Sequence, residues 1–325
     1  MHKLPVGVLG ASGYAGRELC ALVARHPRLE LAFATANDRR GERATIAGRE
    51  VTFVATEDAP LARAELLFSA LPHGVSAPWV EAAAGAGARA VDLSADLRPG
   101  REGHAVSSGA RVPYGLTEMA RADVAGAQIV ANPGCYATAV LLALLPVLER
   151  RLVDGTRTIT VAAASGVTGA GFTPRRELMF AEVAEDFRAY APGNGHRHLG
   201  EMLAVIRATG CDADLVFTPH LLPIARGILA TLIVPLAEPL PDALAPWREH
   251  YRGEPFIEVT PEPPSVRDVV RRNVLRVSAT AALNVRRPAL VVTAALDNLM
   301  KGAAGQALQN GNLLLGLGET AGLPA

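Results

Sequence analysis

The 325-residue sequence predicts an α/β fold, a doubly wound parallel sheet followed by an α+β domain with a mostly antiparallel sheet. Short apolar strands alternate with helical segments through the first third of the chain. After about residue 155, longer strand candidates are separated by loops rich in Pro and Gly, and the final segment is helical again. We therefore expect a discontinuous first domain, residues 1–134 with 299–325, and a second domain of residues 135–298.

The first domain begins with a strand–helix–strand rhythm. Residues 14–25 carry Leu19, Leu22 and Val23 at helical spacing, which predicts the first helix. The other predicted elements are strands at 4–9, 29–35, 66–71, 90–93 and 129–131 and helices at 75–84 and 136–150. This order predicts parallel strands joined by right-handed crossovers.

The second domain contains strand candidates with few helices between them. They are predicted at 156–164, 215–217, 228–235, 274–282 and 289–296. Residues 298–317 are predicted to form a last helix that packs back on the first domain.

Composition and charge restrict the classes of partner. Lys and Arg number 32, as do Asp and Glu, so the formal net charge is zero, which argues against nucleic acid or an anionic membrane as the main partner. No signal-peptide pattern precedes the first strand, and the apolar run at residues 140–148 is too short to span a bilayer. Three widely spaced cysteines fit reduced thiols, and no Cys and His pairs indicate a zinc site. We expect a cytoplasmic protein with a small-molecule substrate and no metal.

A glycine-rich turn after the first strand predicts dinucleotide binding. Its glycines permit a tight turn and let a pyrophosphate approach N–H groups at the start of a helix. The spacing is GxxGxxG rather than GxGxxG, so an ordinary turn is the alternative. The glycines of this turn, Gly10, Gly13 and Gly16, are the expected cofactor-binding residues.

Basic residues follow the second strand. Asp38 comes late and is followed by Arg39 and Arg40, whose guanidinium groups would suit the 2′-phosphate of NADP. A solvated loop is the alternative.

Cys135 lies in Asn132-Pro-Gly-Cys135-Tyr, between a predicted strand end and a helix start. Ligands of open α/β sheets bind at this edge, which makes Asn132 a candidate substrate-binding residue. A helix N-terminus favours a thiolate by only about 0.3–1 kcal/mol, so a nucleophile here needs a second partner, such as a histidine. Cys20 lies within an apolar helical pattern and is predicted to be a core residue.

The segment Gly195-His196-Arg-His198-Leu-Gly200-Glu201 precedes a predicted helix. A carboxylate one helical turn away can orient an imidazole that serves a cysteine nucleophile. From the chemistry alone, a structural loop histidine fits equally well, and no third metal ligand is evident.

Two further polar loops are candidates for binding the substrate. Arg98 follows a strand end and suits an anionic group, while Ser165 and Gly166 open a Gly-rich loop that suits phosphate or an amide. Either loop is also compatible with an ordinary turn.

Eight segments spread over nearly the whole chain carry a specific resemblance. They are GASGYAG, ALPHGVS, DLSADLR, ANPGCYAT, SGVTGAG, GHRHLGEM, FTPHLLPIARGILAT and DNLMKGAAGQALQN. Together they resemble the N-acetyl-γ-glutamyl-phosphate reductases of arginine biosynthesis, in the semialdehyde dehydrogenase superfamily. Single segments are shared with aspartate-semialdehyde dehydrogenases.

The resemblance implies a Rossmann domain that binds NADP(H) and an oxidoreductase that assembles as a homodimer or homotetramer. It implies that Cys135 attacks an acyl phosphate and that the thioester formed is reduced to an aldehyde. It assigns acid/base chemistry to His196, its orientation to Glu201 and substrate phosphate binding to Arg98. It also implies a cofactor site that includes Ser12, Gly13, Tyr14 and Ala15, with Asn298 contributing from the last segment.

The chain departs from the family pattern at three places. Gly200 stands where the family usually has proline, and Phe172 stands where it usually has a basic residue. Arg175 and Arg176 are the candidates to replace that basic residue. The stretch 98–113 is shorter than expected.

Two other functions remain as alternatives. One is the same chemistry on a carrier-bound aminoadipyl phosphate in lysine biosynthesis, although this chain keeps the Pro133 and Tyr136 that flank Gly134-Cys135 and has no net basic charge for an acidic carrier. The other is a non-catalytic NADP-binding sensor, which has no need for Cys135, His196 and Glu201 together.

Overall fold

The computed structural model describes residues 2–100 and 112–325, and its contacts divide the chain into two compact units. Unit 1 comprises residues 1–134 with 303–324, and unit 2 comprises residues 135–302 with Ala325. The domain division predicted from the sequence, with its second boundary after residue 298, stays a prediction. The short stretch 98–113 falls mostly on residues 101–111, which lie outside the described residues.

The helices and strands before residue 135 are β1 (Leu4–Leu9), α1 (Tyr14–Arg25), β2 (Leu29–Ala34), β3 (Arg43–Ile46), β4 (Arg49–Thr52), β5 (Leu66–Ser69), α2 (Ala77–Gly85), β6 (Arg89–Asp92), α3 (Thr117–Ala125) and β7 (Ile129–Ala131). Those that follow are α4 (Cys135–Glu149), β8 (Ile159–Gly166), α5 (Phe180–Val183), β9 (Arg188–Ala189), α6 (Leu199–Ala208), β10 (Leu215–Leu222), β11 (Ile228–Pro235), α7 (Ala245–His250), β12 (Ile257–Val259), β13 (Leu275–Ala281), β14 (Ala289–Leu296), a π-helical turn (Met300–Ala304) and α8 (Gly305–Leu314).

The main sheet of unit 1 is parallel, in the order β2-β1-β5-β6-β7. Its strands are short apolar runs, such as Leu66–Ser69, in which every residue is buried. Runs of this kind fit a sheet that is covered on both faces. Helix α1 packs on β1 and β2, α2 packs on β5 and β6, and α8 packs on β6 and α3. The doubly wound parallel sheet predicted from the sequence is confirmed.

A short hairpin between β2 and β5 was not predicted. Strands β3 and β4 pair antiparallel, and their turn places Ala47 and Gly48 at positive φ, of 48° and 79°. Two positive φ values give the turn a twist that matches a two-residue hairpin. None of the strand residues is buried, so the apolar alternation that marks a strand is missing.

The sheet of unit 2 has the order β12-β13-β14-β11-β8-β10-β9. The central pairs β13–β14, β14–β11 and β11–β8 are antiparallel, as is β10–β9, whereas β8–β10 and β12–β13 are parallel. The mostly antiparallel sheet predicted from the sequence is therefore confirmed.

Helix α4 forms the core of unit 2. Every residue from Tyr136 to Leu148 is buried, which explains why the helix has no polar face. Pro146 lacks the N–H that would bond to the carbonyl of Leu142. The hydroxyl of Tyr251 donates to that carbonyl instead, at 2.6 Å. The helix continues through the proline because a tertiary hydrogen bond replaces the missing internal one.

The last predicted helix differs from the observed one. Residues 298–317 were expected to be one continuous helix, but a π-helical turn at Met300–Ala304 precedes α8. The turn is tied to Asp297, whose carboxylate accepts from the N–H groups of Leu299 and Met300 at 2.8 and 3.3 Å. Among the helices in the described part of the chain, none combines the length and apolarity needed to cross a membrane.

Candidate active site

The glycine turn of unit 1 lies where the order of the parallel sheet reverses. β2 lies on one side of β1 and β5 on the other, and Gly10 follows β1. Gly10 has a φ of 73°, and a β-carbon there would be 2.5 Å from the carbonyl oxygen of Ala70, just beyond β5. Gly16 packs equally closely, since its β-carbon would be 2.2 Å from the carbonyl oxygen of Gly10. Ligands of doubly wound sheets bind at such a switch point.

Gly13 leaves open space at the start of α1. A β-carbon there would meet only the carbonyl oxygen of Gly10, at 3.6 Å. The helix begins at Tyr14, and the first N–H groups of a helix have no partner within it. Ser12 and Ala15 flank this turn, and the Ser12 hydroxyl donates to the carboxylate of Asp38 at 3.1 Å. These features fit a dinucleotide pyrophosphate, which such a helix end favours by charge and by hydrogen bonding.

Arg39 and Arg40 extend from the loop after β2. The Nε of Arg39 lies 2.8 Å from Glu42 Oε2, and its guanidinium lies over the ring of Phe53, 5.4 Å from the ring centroid. Arg40 Nη1 is 3.8 Å from Glu57 Oε1. Exposed pairs of this kind contribute about 0–1 kcal/mol, so a phosphate would compete well for either guanidinium.

The loop after β6 is stabilised by two carboxylates whose roles the sequence does not reveal. Asp92 is fully buried and accepts from the hydroxyls of Ser76 and Ser94 at 2.6 and 2.7 Å. Asp96 accepts from the N–H groups of Gly74 and Ser76 at 2.6 and 2.9 Å, just before α2. Burial raises the pKa of Asp92, and the hydrogen bonds from Ser76 and Ser94 oppose that rise. These contacts hold the ALPHGVS and DLSADLR segments together.

Arg98 is buried, and its guanidinium donates hydrogen bonds to backbone carbonyls that follow two neighbouring strands, β6 and β7. Its Nε donates to the carbonyl of Asn132 at 2.8 Å, and its Nη2 donates to the carbonyl of Leu93 at 2.7 Å. The side chain is only 5% exposed. These bonds link the loop after β6 to the segment that leads to Cys135. Phosphate binding by Arg98 stays a prediction.

Asn132 is fully buried and held by the C-terminal part of unit 1. Its Oδ1 accepts from Asn310 at 3.0 Å, and its Nδ2 donates to the carbonyl of Ala303 at 3.3 Å. Thr117 in turn donates to Asn310 at 2.8 Å. A buried network of satisfied polar groups specifies one arrangement. Hydrogen bonds to Asn310 in α8 and to Ala303 therefore hold Asn132, which lies three residues before Cys135, in one conformation.

Cys135 is the first residue of α4 and is half-buried. Gly302 packs directly against it, because a β-carbon at position 302 would be 2.8 Å from the β-carbon of Cys135. By contrast, Cys20 is fully buried, and burial raises the pKa of its thiol to about 12. Of the two, only Cys135 has the partial exposure and helix N-terminus that favour a reactive thiolate.

Tyr136 connects the start of α4 to the histidine segment of unit 2. Its ring packs edge-on against that of His196, with a centroid distance of 5.3 Å. Its hydroxyl donates to the carbonyl of His220 and accepts from the hydroxyl of Tyr190, both at 3.1 Å. Burial raises the pKa of Tyr136 far above its usual range and that of Tyr190 to about 12, and a charge on Cys135 adds to both rises. The cysteine, the two tyrosines and His196 therefore form one cluster.

His196 is neutral near pH 7 in this environment. Burial lowers its pKa to about 4, and the charge of Arg197 acts in the same direction. Its Nδ1 accepts the backbone N–H of His198 at 3.1 Å. The single proton of the neutral ring is therefore assigned to Nε2, which makes that atom a hydrogen-bond donor.

Glu201 lies on the first turn of α6, next to His198. Its Oε1 is 3.9 Å from Nε2 of His198, and both side chains are almost fully buried. The His198 ring lies edge-on to that of His196, 4.7 Å away. The structure thus places Glu201 beside His198, whose ring contacts that of His196. A direct role for Glu201 in orienting His196 stays a prediction.

Gly200 is the second residue of α6, a position where the proline of the family pattern would also be tolerated.

Ser165 and Gly166 end β8 beside this cluster. A hydrogen bond from Ser165 lowers the pKa of Tyr136 against the larger effect of burial. Asn298 supports the loop that follows: its Oδ1 accepts from the N–H of Gly227 at 2.7 Å, and its Nδ2 donates to Thr168 at 2.9 Å. Because both ends of this amide hold loops of unit 2, its contribution to cofactor binding stays a prediction.

Within residues 2–100 and 112–325, no cluster of three or more His, Cys, Asp or Glu side chains is arranged to hold a metal ion.

Two family models match this chain. The semialdehyde dehydrogenase NAD binding domain matches residues 5–127, and the semialdehyde dehydrogenase dimerisation domain matches residues 135–298. Solved structures share the fold: aspartate semialdehyde dehydrogenase II from Vibrio cholerae, in complex with ASA, has a TM-score of 0.74 at 19% identity, covering 97% of this chain and 99% of that one. The Candida albicans aspartate semialdehyde dehydrogenase with NADP has a TM-score of 0.69 at 14% identity, covering 96% and 98%.

Curated relatives are much more similar in sequence. The N-acetyl-gamma-glutamyl-phosphate reductase of Halorhodospira halophila is 39% identical, and the alignment covers 98% of both chains. That of Afipia carboxidovorans is 37% identical and covers 99% of this chain and 97% of its own. With a parallel nucleotide-binding sheet, a half-buried cysteine at a helix start and a neutral histidine in the same cluster, the chain belongs to the N-acetyl-γ-glutamyl-phosphate reductases of the semialdehyde dehydrogenase family.

Proposed function

We propose that the chain reduces N-acetyl-γ-glutamyl phosphate to N-acetylglutamate semialdehyde and phosphate with NADPH, in the cytoplasm, as a step of arginine biosynthesis. The observation that carries this proposal is the cluster of Cys135, Tyr136 and His196 at the start of α4. A non-catalytic sensor would not need a partly exposed cysteine in one cluster with a half-buried, neutral imidazole. The names and lengths of the relatives support the substrate.

Cys135 is the nucleophile in this proposal. Its sulfur forms a bond to the γ-acyl carbon, the bond from that carbon to the phosphate oxygen breaks, and phosphate leaves. The N-terminus of α4 stabilises the thiolate by about 0.3–1 kcal/mol. Splitting the reaction through a thioester replaces one difficult step with easier ones.

The cofactor site proposed here is the glycine turn with Arg39 beside it. When bound there, a reduced nicotinamide would supply the hydride that reduces the thioester. Gly10 and Gly16 shape the turn, and Ser12 to Ala15 present the helix start to the pyrophosphate. A nicotinamide dinucleotide is supported by the NAD binding domain match, and Arg39 and Arg40 favour NADP within that class.

His196 acts as the acid/base group in the thiohemiacetal stage. Its Nε2–H donates a hydrogen bond to the oxygen on which negative charge develops. When the carbon–sulfur bond breaks, the hydroxyl proton of the thiohemiacetal passes by way of the imidazole to the Cys135 sulfur, and the aldehyde is released. Its low pKa keeps the ring neutral, so it enters the cycle as a donor with one proton.

The exposed face of the unit 2 sheet is the proposed oligomer interface. Val216, Thr160 and Ile233 are adjacent on β10, β8 and β11, and Val216 and Ile233 are each 42% exposed. The matched domain is a dimerisation domain, which supports a second copy of this chain as the partner. Ile233→Glu should shift the molecular mass in light scattering towards that of the monomer, whereas Leu283→Glu, at an exposed loop position, should not.

The function is tested in the reverse direction by following NADP reduction. Purified protein, N-acetylglutamate semialdehyde and phosphate should give NADPH only when all three are present with NADP, and Cys135→Ser should abolish the signal. A carrier-bound aminoadipate semialdehyde tests the lysine alternative in the same assay. The proposal fails if the unmodified protein binds NADP but shows no phosphate-dependent reduction with the N-acetylglutamate compound.

A further inference from the structure

The proposed substrate carries a second anionic group besides its phosphate. Its α-carboxylate lies several bonds from the reacting carbon, and carboxylates are bound most specifically by the paired N–H groups of arginine. In this chain the residue after the Ser165–Gly171 loop is Phe172, which is apolar and 42% exposed. Phe172 therefore provides no cation for this carboxylate.

The backbone of Arg226 is fixed against the end of β8. Gly166 N–H donates to the carbonyl of Gly227 at 2.9 Å, and Thr168 N–H donates to that of Ala225 at 3.2 Å. A β-carbon at position 166 would be 2.8 Å from the Arg226 nitrogen, so only glycine allows this approach. Arg226 is thus placed by the same loop that provides Ser165 and Gly166.

The side chain of Arg226 is oriented by a buried acid. Its Nη1 is 3.5 Å from Oδ2 of Asp297, and the Arg226 side chain keeps 15% of its surface exposed while Asp297 keeps none. Asp297 is itself held by backbone N–H groups, including that of Arg271 at 2.7 Å. A carboxylate anchored in this way orients the guanidinium, a planar group with five N–H donors.

Asp297 also connects Arg226 to the nucleophile. Its carbonyl oxygen accepts the N–H of Gly302 at 2.9 Å, and Gly302 packs against the β-carbon of Cys135. Arg226 and Cys135 therefore both contact the segment from Asp297 to Gly302 in unit 2. Arg175 and Arg176, in contrast, are exposed beside a short 3₁₀ turn that begins at Arg176.

We infer that Arg226 binds the α-carboxylate of the acyl substrate and determines specificity for it. This assignment rests on the proposed function, because it names the substrate group that the same site recognises. Arg226 does not take part in the covalent steps. Asp297 is the positioning residue that holds it.

The test compares two aldehydes in the reverse reaction, N-acetylglutamate semialdehyde and acetamidobutanal, which lacks only the carboxylate. Arg226→Gln should lower kcat/KM for the first aldehyde by roughly 10- to 100-fold, mainly through KM, because a hydrogen bond between charged groups is lost. It should leave kcat/KM for acetamidobutanal and the KM for phosphate nearly unchanged. Arg226→Lys should recover part of the loss, since it restores the charge but not the paired geometry.

Arg207→Gln, at an exposed position in the last turn of α6, is the matched control and should leave the kinetics with both aldehydes unaffected. Equal losses for the two aldehydes in Arg226→Gln would mean that Arg226 supports the fold and would overturn the inference. If Arg226→Gln does not fold, Arg226→Lys answers the same question through the ratio of the two kcat/KM values. The proposed function is judged separately, by the phosphate-dependent activity of the unmodified enzyme with N-acetylglutamate semialdehyde.

Discussion

The glycine turn of unit 1 and the cysteine cluster of unit 2 are built in different ways. The turn depends on backbone, because Gly10 and Gly16 exclude a β-carbon and the helix start provides N–H groups. The cluster depends on side chains, because Tyr136, Tyr190 and His196 position one another. Backbone N–H groups suit the binding of cofactor phosphates. Side chains with acidic or basic groups are needed for catalysis. Substitutions should therefore affect binding and stability in unit 1, and rate in unit 2.

The largest effect is expected at the nucleophile. Cys135→Ser should lose nearly all activity while binding NADPH with unchanged affinity, because the glycine turn is untouched. Iodoacetamide should modify Cys135 before Cys20, whose thiol is fully buried with a pKa of about 12. Fluorescence titration with NADPH and peptide mapping by mass spectrometry measure the two results. A variant that keeps more than a small fraction of activity would refute the covalent route.

The next effect is expected at His196. A positioned acid/base group typically contributes about 10²–10⁴-fold in rate, so His196→Asn should lower kcat by roughly that factor with a smaller change in KM. His198→Asn is the comparison, since its backbone N–H, the group that bonds to His196, is retained. Steady-state kinetics on the two purified variants decides between them. The assignment is wrong if His198→Asn is the more impaired enzyme.

Gly16→Ala should break the turn of unit 1. The new β-carbon would lie 2.2 Å from the carbonyl oxygen of Gly10, so the backbone must shift. Crowding of this kind typically costs about 1–3 kcal/mol, and we expect a weaker affinity for NADPH as well. Urea unfolding and NADPH titration measure the two effects.

Gly85→Ala is the control, because nothing lies within 4 Å of its added carbon. A normal stability and affinity in Gly16→Ala would contradict the view that this site depends on backbone packing.

Replacing Arg39 and Arg40 together by Gln should reduce the preference for NADPH over NADH. The expected change is roughly 10-fold or more in the ratio of kcat/KM values, since a charged hydrogen bond contributes about 1.5–3 kcal/mol. Most of it should appear in KM for NADPH, with kcat unchanged. Kinetics with both cofactors tests this. If the unmodified enzyme uses NADH and NADPH equally, these arginines do not select the cofactor.

The smallest effect concerns the stability of the fold in acid. His196 has a folded pKa of about 4 against an ordinary 6.5, so between these values the unfolded chain binds more protons. Its contribution to the free energy of unfolding is therefore complete above pH 6.5 and is lost as pH falls towards 4. The pH dependence of urea unfolding should be weaker in His196→Asn than in the unmodified protein. Parallel pH profiles for the two proteins would show that His196 is not the group responsible for this loss of stability.

Much of the fold was predictable because strong apolar periodicity determines it. The bounds expected for β1, β7, β11 and β14 agree with the structure residue for residue. The hairpin of β3 and β4 was missed because its residues are mostly exposed, and the π-helical turn was missed because Asp297 creates it through local hydrogen bonds. Patterns of apolar residues contain no information about such polar contacts.

The site was predictable in its residues but less so in their contacts. The position of Cys135 at a helix start followed from the strand and helix around it. The carbonyl partners of Arg98 and the proximity of Glu201 to His198 depend on residues brought together by folding. No spacing rule in one sequence indicates those contacts. Tyr136 was expected only as a flanking residue, although its ring links the cysteine to His196.

Gly302 has a consequence for anyone who redesigns this enzyme. A single added methyl group at this position would be 2.8 Å from the β-carbon of Cys135, yet it would change no charge and no hydrogen-bonding group. Saturation mutagenesis at position 302 should therefore recover glycine almost exclusively under selection for growth. The few survivors with alanine would be informative starting points for laboratory evolution, because their sulfur would be displaced in an otherwise native pocket.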